Sequence, residues 1–180
     1  LLQYLIPEKI LFPYVFLTKS KTIRFDSLIE GSSSQKRRSF RYIRQTPLLE
    51  DSLAVFAKVP KISPYRYVFK GKIAVLINGN TSSAAVQLAA TLHHYRRAYF
   101  FGEETGGRYS GGNGGVIFTV VLPHSSIKLQ LPMLRYYNQV ADCFPNRGLY
   151  PDFFIPPTVD NLLNNQDEVL QKALEWLMNH

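Results

Sequence analysis

The segment from residue 72 to residue 107 constrains the fold more than any other part of this chain. It opens with a continuous apolar run, Ile73–Ile77, which is typical of a strand buried on both faces. Turn-forming residues occupy positions 78–80, and a helix-forming stretch then leads to a second apolar run at Ala98–Phe101. This order of strand, turn, helix and strand predicts a right-handed crossover between two parallel strands.

A serine pair stands where the predicted turn enters the helix. Ser83 is predicted to lie in the first helical turn, whose unpaired N–H groups favour negative charge. If Ser83 attacked a carbonyl carbon, the backbone N–H of Ala84 would be placed to donate to the oxyanion. A second interpretation is that Thr81, Ser82 or Ser83 only caps the helix, because serine and threonine are preferred caps. The pattern alone leaves both interpretations open.

The residues around this pair follow a specific order of motifs. The sequence VLINGN at 75–80 is followed by Thr81–Ala85, by Arg97–Ala98 and by Gly102–Gly106. This order resembles the strand, T-A-S-A-S-E, R-A and G-E-x-T-x-G motifs in the core of the C-terminal processing peptidases, also called tail-specific proteases. The family's nucleophile is the serine two residues after the threonine, so the resemblance implies that Ser83 is the nucleophile and Ala84 the oxyanion donor.

The resemblance extends from Phe69 to Leu177. Leu122–Ser125 and Leu131–Pro132 look like the family's hairpin, and Gly148–Asp152 looks like its G-[IV]-x-P-D signature. The implied fold is α/β of the crotonase and Clp-protease type, of the ββα superhelix kind. The implied activity is a serine-type peptidase that forms an acyl-enzyme and acts on peptides or proteins, in an exported or periplasmic setting.

The chain departs from the family pattern at its general base. The Ser/Lys branch carries a lysine 25 positions after the nucleophile, and this chain has Arg108 there. Arginine stays protonated, so Arg108 cannot act as a base; with Gly106 and Gly107 it is expected to bind substrate. The chain therefore resembles the lysine-less, tricorn-like branch, in which a histidine and a supporting acid activate the serine. Asp142 is the candidate supporting acid, and a solvated loop acid is the alternative.

The family's D-L-R-x-N-x-G-G stretch, whose glycines supply part of the oxyanion hole, does not precede Lys72. The opening residues Leu1–Ile6 instead resemble the helix that follows it. The resemblance therefore implies that residues 1–180 are the C-terminal portion of a peptidase domain. The activating histidine and half of the oxyanion hole are expected in the upstream part of the same polypeptide.

Composition adds few constraints. The chain has 180 residues, 46% of them hydrophobic, so one domain with its own core is expected over 1–180. No apolar run approaches the ~20 residues of a membrane span. The single cysteine, Cys143, excludes an internal disulfide, and no spacing indicates a metal site or a cofactor. His93 and His94 are predicted roughly 15 Å along the helix from Ser83, too far to contact its hydroxyl.

The formal net charge of +8 comes largely from one cluster between Gly31 and Pro47. This stretch has no acidic residue and is predicted to be a basic, mobile insertion over about 31–47, as a solvated loop or an edge hairpin. Binding of an acidic partner is the alternative, and nucleic acid is not an expected partner. The basic residues are Lys36, Arg37, Arg38, Arg41 and Arg44.

Several other segments carry predictions. Alternation predicts strands at Tyr14–Leu17 and Thr22–Phe25, and a hairpin at 116–131. The stretch Arg108–Gly115 is glycine-rich and is predicted to be a flexible lid or substrate-binding rim. Apolar residues recur at helical spacing over Asp167–Met178, which predicts an amphipathic helix.

Three function classes follow from these observations. The first is a serine peptidase acting by acyl transfer. The second is a non-catalytic relative that binds peptides or apolar ligands, and the third is a basic interaction module. Labelling by a fluorophosphonate separates the first two, and salt-dependent nucleic-acid binding tests the third.

Overall fold

The computed structural model describes residues 1–141, 144 and 146–179. The chain divides into two compact units. Unit 1 comprises Leu1–Pro13, Pro60–Ser110 and Asn138–His180, and unit 2 comprises Tyr14–Val59 and Gly111–Tyr137. Unit 1 contains the segment 72–107 and the serine pair, so it carries the candidate site.

Unit 1 is built on a three-stranded parallel sheet. Its strands are β4 (Ala74–Ile77), β5 (Tyr99–Gly102) and β8 (Phe153–Phe154), in the order β4-β5-β8. Helix α4 (Ala84–His94) connects β4 to β5, and Val75 lies opposite Phe100 in a parallel register. The predicted crossover between parallel strands is therefore confirmed.

The remaining elements of unit 1 surround this sheet. Helix α1 (Leu2–Leu5) confirms the predicted opening helix, and β1 (Ile10–Leu11) pairs antiparallel with β3 (Lys61–Ile62). Helices α5 (Val159–Leu163) and α6 (Glu168–Asn179) follow β8, and α6 packs on β4 and β5. Its predicted amphipathic character agrees with the contact of Trp176 and Tyr99, whose ring centroids are 4.5 Å apart.

The core of unit 1 is apolar and includes one face of α4. Its buried members are Ile6, Ile10, Ile77, Ala89, Ala90, Leu92, Phe100, Tyr109 and Leu149. The expectation that β4 is buried on both faces is wrong, because Leu76 is 42% exposed while Ile77 is buried. The apolar run predicted the strand correctly. The core covers the face of Ile77, whereas α6 packs on the sheet from the other face and leaves Leu76 partly exposed.

Unit 2 is an antiparallel hairpin with a third strand and a packed helix. Strands β6 (Gly111–Val121) and β7 (Lys128–Asn138) pair antiparallel, and β2 (Tyr14–Thr18) lies beside β7. Helix α2 (Ser33–Gln45) packs through Ile43 against Phe118 and the hairpin, and α3 (Ser52–Ala57) follows it. Phe40 also contacts Phe118, at 5.5 Å between ring centroids.

Three predictions for this unit are wrong. The basic stretch 31–47 forms α2 rather than a loop or hairpin, because Ser32 and Gln35 build a capping box and Ile43 is buried. Residues 22–25 form no strand, and a short 3-10 turn at Asp26–Leu28 follows them. The glycines of the predicted flexible rim belong to β6 from Gly111 onward.

The glycines of β6 are explained by a neighbouring tyrosine. A Cβ atom on Gly111, where φ is 134°, would overlap the carbonyl oxygen of Tyr136. A Cβ on Gly112 would lie 3.1 Å from the Tyr136 hydroxyl. Strand pairing with β7 therefore orders a glycine-rich stretch for which composition alone predicts flexibility.

None of the helices in the described part of the chain has the length and apolar character needed to cross a membrane.

Candidate functional site

Ser83 occupies an unusual backbone conformation directly before α4. Its φ is 52° and its ψ is −125°, and the side chain is exposed. A residue with a Cβ atom rarely adopts positive φ, and holding it there costs on the order of 1–3 kcal/mol. The expectation that Ser83 lies within the first helical turn is therefore wrong. It lies one residue earlier, at the sharp junction between the turn and the helix.

Two polar groups at this junction have no hydrogen-bond partner among the described residues. Within residues 1–141, 144 and 146–179, no hydrogen bond reaches the Ser83 hydroxyl, and the Ala84 N–H donates none. The next N–H, that of Ala85, donates to the Ser82 carbonyl oxygen at 3.1 Å. An exposed hydroxyl and a free N–H therefore stand side by side in the chain at the start of a helix, where partial positive charge accumulates.

The capping interpretation of the serine pair does not fit the side-chain contacts. Ser83 is the N-cap residue by position, yet its side chain makes no capping hydrogen bond. The Thr81 hydroxyl accepts instead from the backbone N–H of Asn78 at 3.1 Å, which closes the turn. The carboxamide oxygen of Asn78 accepts from the N–H of Asn80 at 3.0 Å. We call residues 78–85 the serine turn.

A glycine pair from the following loop packs directly on the serine turn. A Cβ atom on Gly106 would overlap the carbonyl oxygen of Gly79. A Cβ on Gly107 would lie 2.8 Å from Val86 Cγ1 and 3.0 Å from Ser82 Cα, and the Gly107 N–H donates to the Thr81 carbonyl oxygen at 2.9 Å. Both glycines thus support the turn through close backbone approach. Their expected contact with substrate stays a prediction.

Thr105 connects the glycine pair to a more distant loop. It is buried, and its hydroxyl donates to the Gly107 carbonyl oxygen and accepts from the Leu149 N–H, both at 2.8 Å. The Thr105 N–H donates to the Leu149 carbonyl oxygen at 3.1 Å. A buried hydroxyl with two partners fixes the position of both loops.

An exposed ion pair also joins the loop of the glycine pair to the loop at Leu149. Arg147 forms a two-pronged pair with the Glu104 carboxylate, and Glu104 also accepts from the Gly148 N–H at 2.9 Å. Arg147 holds the pKa of Glu104 below its ordinary value through this hydrogen bond. The sequence motifs alone indicate a role for neither Thr105 nor this pair. The available signal was that Glu104 and Thr105 lie in the signature at 102–106 and that Arg147 directly precedes the signature at 148–152.

The structure gives little information on the other predicted site residues. Arg108 is exposed, and within the described residues it forms no ion pair. Asp142, the candidate supporting acid, and Cys143 lie outside the described residues. The roles of Arg108 and Asp142 stay predictions.

The histidines of α4 have other partners. His93 Nδ1 and the Tyr109 hydroxyl are 3.0 Å apart, and the ring packs on Phe100. Burial lowers the pKa of His93 below its ordinary value, and the nearby Asp152 partly opposes this. His94 Nδ1 accepts from the Ala141 N–H at 3.2 Å. Both rings therefore take part in the packing and hydrogen bonding of unit 1.

Two further motif residues hold the scaffold. Asp152, from the G-x-P-D signature, accepts from the Phe100 N–H at 2.7 Å and so ties that signature to β5. The Arg97 guanidinium donates to the carbonyl oxygens of Leu5, Phe69 and Gly71, joining α1 to the segment before β4.

Two surface grooves of unit 1 are lined by residues other than the serines. One, of about 760 Å³, includes Phe101, Phe153 and Trp176. The other, of about 710 Å³, includes the tyrosines Tyr4 and Tyr65. Among the described residues, no cluster of histidine, cysteine and carboxylate side chains could hold a metal ion.

Two solved structures share the fold of this chain. One is a putative peptidase from Parabacteroides merdae ATCC 43184, with a TM-score of 0.56, 16% identity, and coverage of 97% of this chain and 45% of that chain. Another is a point mutant of CPAF, with a TM-score of 0.52, 18% identity, and coverage of 98% of this chain and 37% of that chain. This chain thus spans less than half the length of either structure.

Comparison with curated protein sequences found no significant match. The model of peptidase family S41 matches residues 13–155, which is most of the chain and includes the serine turn, the glycine pair and the Gly148–Asp152 signature. The match confirms the resemblance to the C-terminal processing peptidases and an α/β peptidase fold. The chain belongs to peptidase family S41.

Proposed function

We propose that the protein is a serine-type peptidase whose nucleophile is Ser83. Membership of a peptidase family supports the reaction class. The observation that carries the assignment is the backbone of Ser83, held at positive φ between a strand and a helix with its hydroxyl exposed. Strain of this kind at a polar residue is typical of functional sites, and a sharp strand-to-helix turn presents a nucleophilic serine in other hydrolases.

The proposed reaction is acyl transfer. Ser83 Oγ attacks the carbonyl carbon of a peptide bond, and its proton passes to a base. The carbonyl oxygen becomes an oxyanion that accepts a hydrogen bond from the Ala84 N–H. When the C–N bond breaks, the base returns the proton to the departing amine, and an ester remains on Ser83. Water then attacks the ester, which releases the new carboxyl terminus and restores the hydroxyl.

In this proposal the base comes from outside the set of residues that the structure describes. Arg108 stands at the position of the lysine in the Ser/Lys branch and stays protonated, so it binds a substrate carboxylate or braces the glycine loop with Gly106 and Gly107. Asp142 is the proposed supporting acid of a lysine-less site. The coverage of 45% and 37% of the matched structures is consistent with a base, and a second oxyanion donor, contributed by another part of the whole protein.

The finer fold assignment belongs to the same proposal. We infer a crotonase and Clp-protease type of α/β fold, of which this chain is the C-terminal portion. The β4-α4-β5 crossover, with the serine turn at the carboxyl end of β4, supports this assignment. Parallel α/β units place their active sites at that end of the strands.

A non-catalytic relative that binds peptides is the second candidate. It is favoured by the absence, within the described residues, of a partner for the Ser83 hydroxyl and by the open aromatic groove of about 710 Å³. That groove includes Tyr67 and Phe69, which are 70% and 51% exposed. Such surfaces can hold a peptide without any chemistry.

The two candidates are separated by labelling the full-length protein with a fluorophosphonate, which reacts with activated serines. We expect the wild-type protein and Ser82→Ala to be labelled, whereas Ser83→Ala is not. Ser82→Ala is a matched control because it also removes a serine hydroxyl, at the preceding residue. Peptide mapping by mass spectrometry then identifies the modified residue.

Each outcome decides between the candidates. Label on Ser83, together with cleavage of an unstructured protein substrate that Ser83→Ala abolishes, supports the peptidase. Label retained by Ser83→Ala rejects Ser83 as nucleophile. A protein that binds peptides but is neither labelled nor active is the non-catalytic relative.

A further inference from the structure

Helix α2 of unit 2 presents a row of arginines that no described residue neutralises. Arg37, Arg41 and Arg44 form this row, and all three are exposed, as is the neighbouring Arg38. The ion pairs of the described residues are Glu30–Lys128, Glu104–Arg147 and Glu175–Lys172, and none of them involves α2. Like charges at neighbouring helical positions repel one another, so this row is kept at a cost to the isolated helix.

The helix is held rigidly with this row facing outward. Its opposite face packs on the core of unit 2, where Ile43 is completely buried and Phe40 meets Phe118. The capping box of Ser32 and Gln35 fixes the start of the helix, and the Thr46 hydroxyl donates to the Tyr42 carbonyl oxygen at its end, at 2.9 Å. The guanidinium groups are therefore carried on a backbone that is ordered before any partner arrives, which lowers the entropic cost of binding.

The spacing of the row suits an extended chain. Arg37, Arg41 and Arg44 lie within roughly 60° of one another around the helix and span about 10.5 Å along it. Successive side chains on one face of an extended peptide are about 6.7 Å apart. The planar fork of arginine binds a carboxylate through two hydrogen bonds. An acidic segment of four to six residues in extended conformation therefore matches the row in both length and charge.

The surroundings favour a short partner over a long polyanion. Acidic residues limit the basic track along the chain at both ends, with Glu30 just before the helix and Glu50 and Asp51 shortly after it. A nucleic acid typically contacts many phosphates along a continuous basic surface. A membrane-surface helix needs a free apolar face, and that of α2 is already packed against unit 2.

From this geometry we infer that the arginine row of α2 is a docking surface for an extended acidic polypeptide segment. It binds protein partners or substrates that carry clustered carboxylates, away from the serine turn in sequence and independently of any reaction there. The proposal goes beyond the peptidase assignment, because docking requires no activated serine.

The test uses fluorescence anisotropy with a fluorescein-labelled peptide of alternating glutamate and serine, twelve residues long. The full-length protein is studied in the Ser83→Ala background, so that cleavage cannot remove the probe and the result does not depend on the proposed function. Peptides with glutamine or lysine in place of glutamate are the probe controls. A labelled single-stranded oligonucleotide of twelve nucleotides competes as the other polyanion.

The protein variants separate the arginine row from overall charge. One combines Arg37→Gln, Arg41→Gln and Arg44→Gln, and the matched control combines Lys19→Gln, Lys21→Gln and Arg24→Gln. Both remove three exposed positive charges from unit 2. A third variant replaces the same three arginines with lysine, keeping the charge but not the fork, and circular dichroism checks that each variant folds.

We expect the glutamate peptide to bind and the glutamine peptide not to bind. The arginine-to-glutamine variant should weaken binding about tenfold, a modest loss because exposed ion pairs are individually weak. The control variant should change binding less than threefold, and the lysine variant should fall between the two. Equal weakening by the row and control variants, no binding of the glutamate peptide, or tighter binding of the oligonucleotide through the same arginines would each overturn the proposal.

Discussion

The serine turn exposes a hydroxyl group and helix α2 exposes guanidinium groups, but the two segments are stabilised in different ways. Helix α2 is defined by its own residues, through a local capping box and an amphipathic pattern that buries Ile43. The serine turn keeps Ser83 at a positive φ that its own residue type disfavours. It is held there by residues far along the chain, since Gly106, Gly107 and Thr105 pack on it or tie it to the loop at Leu149.

The difference indicates what each of the two proposed sites requires of the fold. An arginine row needs only a stable helix, so local signals suffice. A reactive serine needs a strained geometry, which persists only where surrounding contacts over-determine it. If this comparison is right, substitutions at distant supporting residues will damage the serine turn, whereas α2 will respond mainly to changes in its own sequence.

The largest expected effect tests the distant support of the serine turn. Gly106→Ala adds a Cβ atom that would overlap the Gly79 carbonyl oxygen, so backbone must move. We expect a loss of unfolding free energy at or above the upper end of the roughly 1–3 kcal/mol typical of overpacking. Urea unfolding measures it.

The matched control for that substitution is Gly79→Ala, on the other side of the same contact. A Cβ on Gly79 meets nothing within 4 Å, so this variant should lose little stability. Equal destabilisation by the two substitutions would show that the close approach of Gly106 does not support the turn.

A smaller effect of opposite sign tests the strain at Ser83. Ser83→Gly relieves the cost of positive φ, on the order of 1–3 kcal/mol, against the roughly 0.5–1 kcal/mol entropic penalty of glycine. We expect a net stabilisation on the order of 1 kcal/mol by urea unfolding, accompanied by loss of fluorophosphonate labelling. Ser82→Gly, one residue earlier and without positive φ, should not stabilise the protein. A Ser83→Gly variant no more stable than Ser82→Gly would contradict the strain argument.

The smallest effect tests the local support of α2. Ser32→Ala removes the side chain that accepts from the Gln35 N–H at the helix start. Loss of such a cap costs about 1 kcal/mol or less at an exposed helix end. Ser33→Ala, inside the first turn and without a capping role, is the control and should be close to neutral. A Ser32→Ala variant as stable as Ser33→Ala would mean that packing of Phe40 and Ile43, rather than the cap, fixes where the helix begins.

The sequence predicted the central part of unit 1 well. The apolar runs at 73–77 and 98–101 became β4 and β5, and their parallel pairing followed from the helix between them. The hairpin of unit 2 was also predicted, although β6 and β7 extend further than the apolar runs. The apolar runs do not predict this extension, because glycine by itself favours a flexible backbone, whereas Tyr136 packs against Gly111, Gly112 and Gly114 across the ladder.

The basic stretch was also wrongly predicted to be mobile. Its charge suggested a solvated loop, although Ser32 and Gln35 already formed a capping-box pattern and Phe40 and Ile43 lay at helical spacing. These local features indicate a helix, whereas the loop prediction was based only on the charge of the stretch. Thr105 and the Glu104–Arg147 pair were missed for a different reason, because their partners are more than 40 positions apart in the chain.

The sequence by itself determined the order of elements around the serine pair, the family, and the candidate nucleophile, because these depend on local spacing and residue type. Only the tertiary structure decided that Ser83 precedes the helix at positive φ and that Gly106 and Gly107 form its support. It also left the Ala84 N–H without a partner among the described residues. The physical reason is that a strained backbone has no favourable local signal. Contacts between residues distant in sequence stabilise it, and those contacts exist only once the chain has folded.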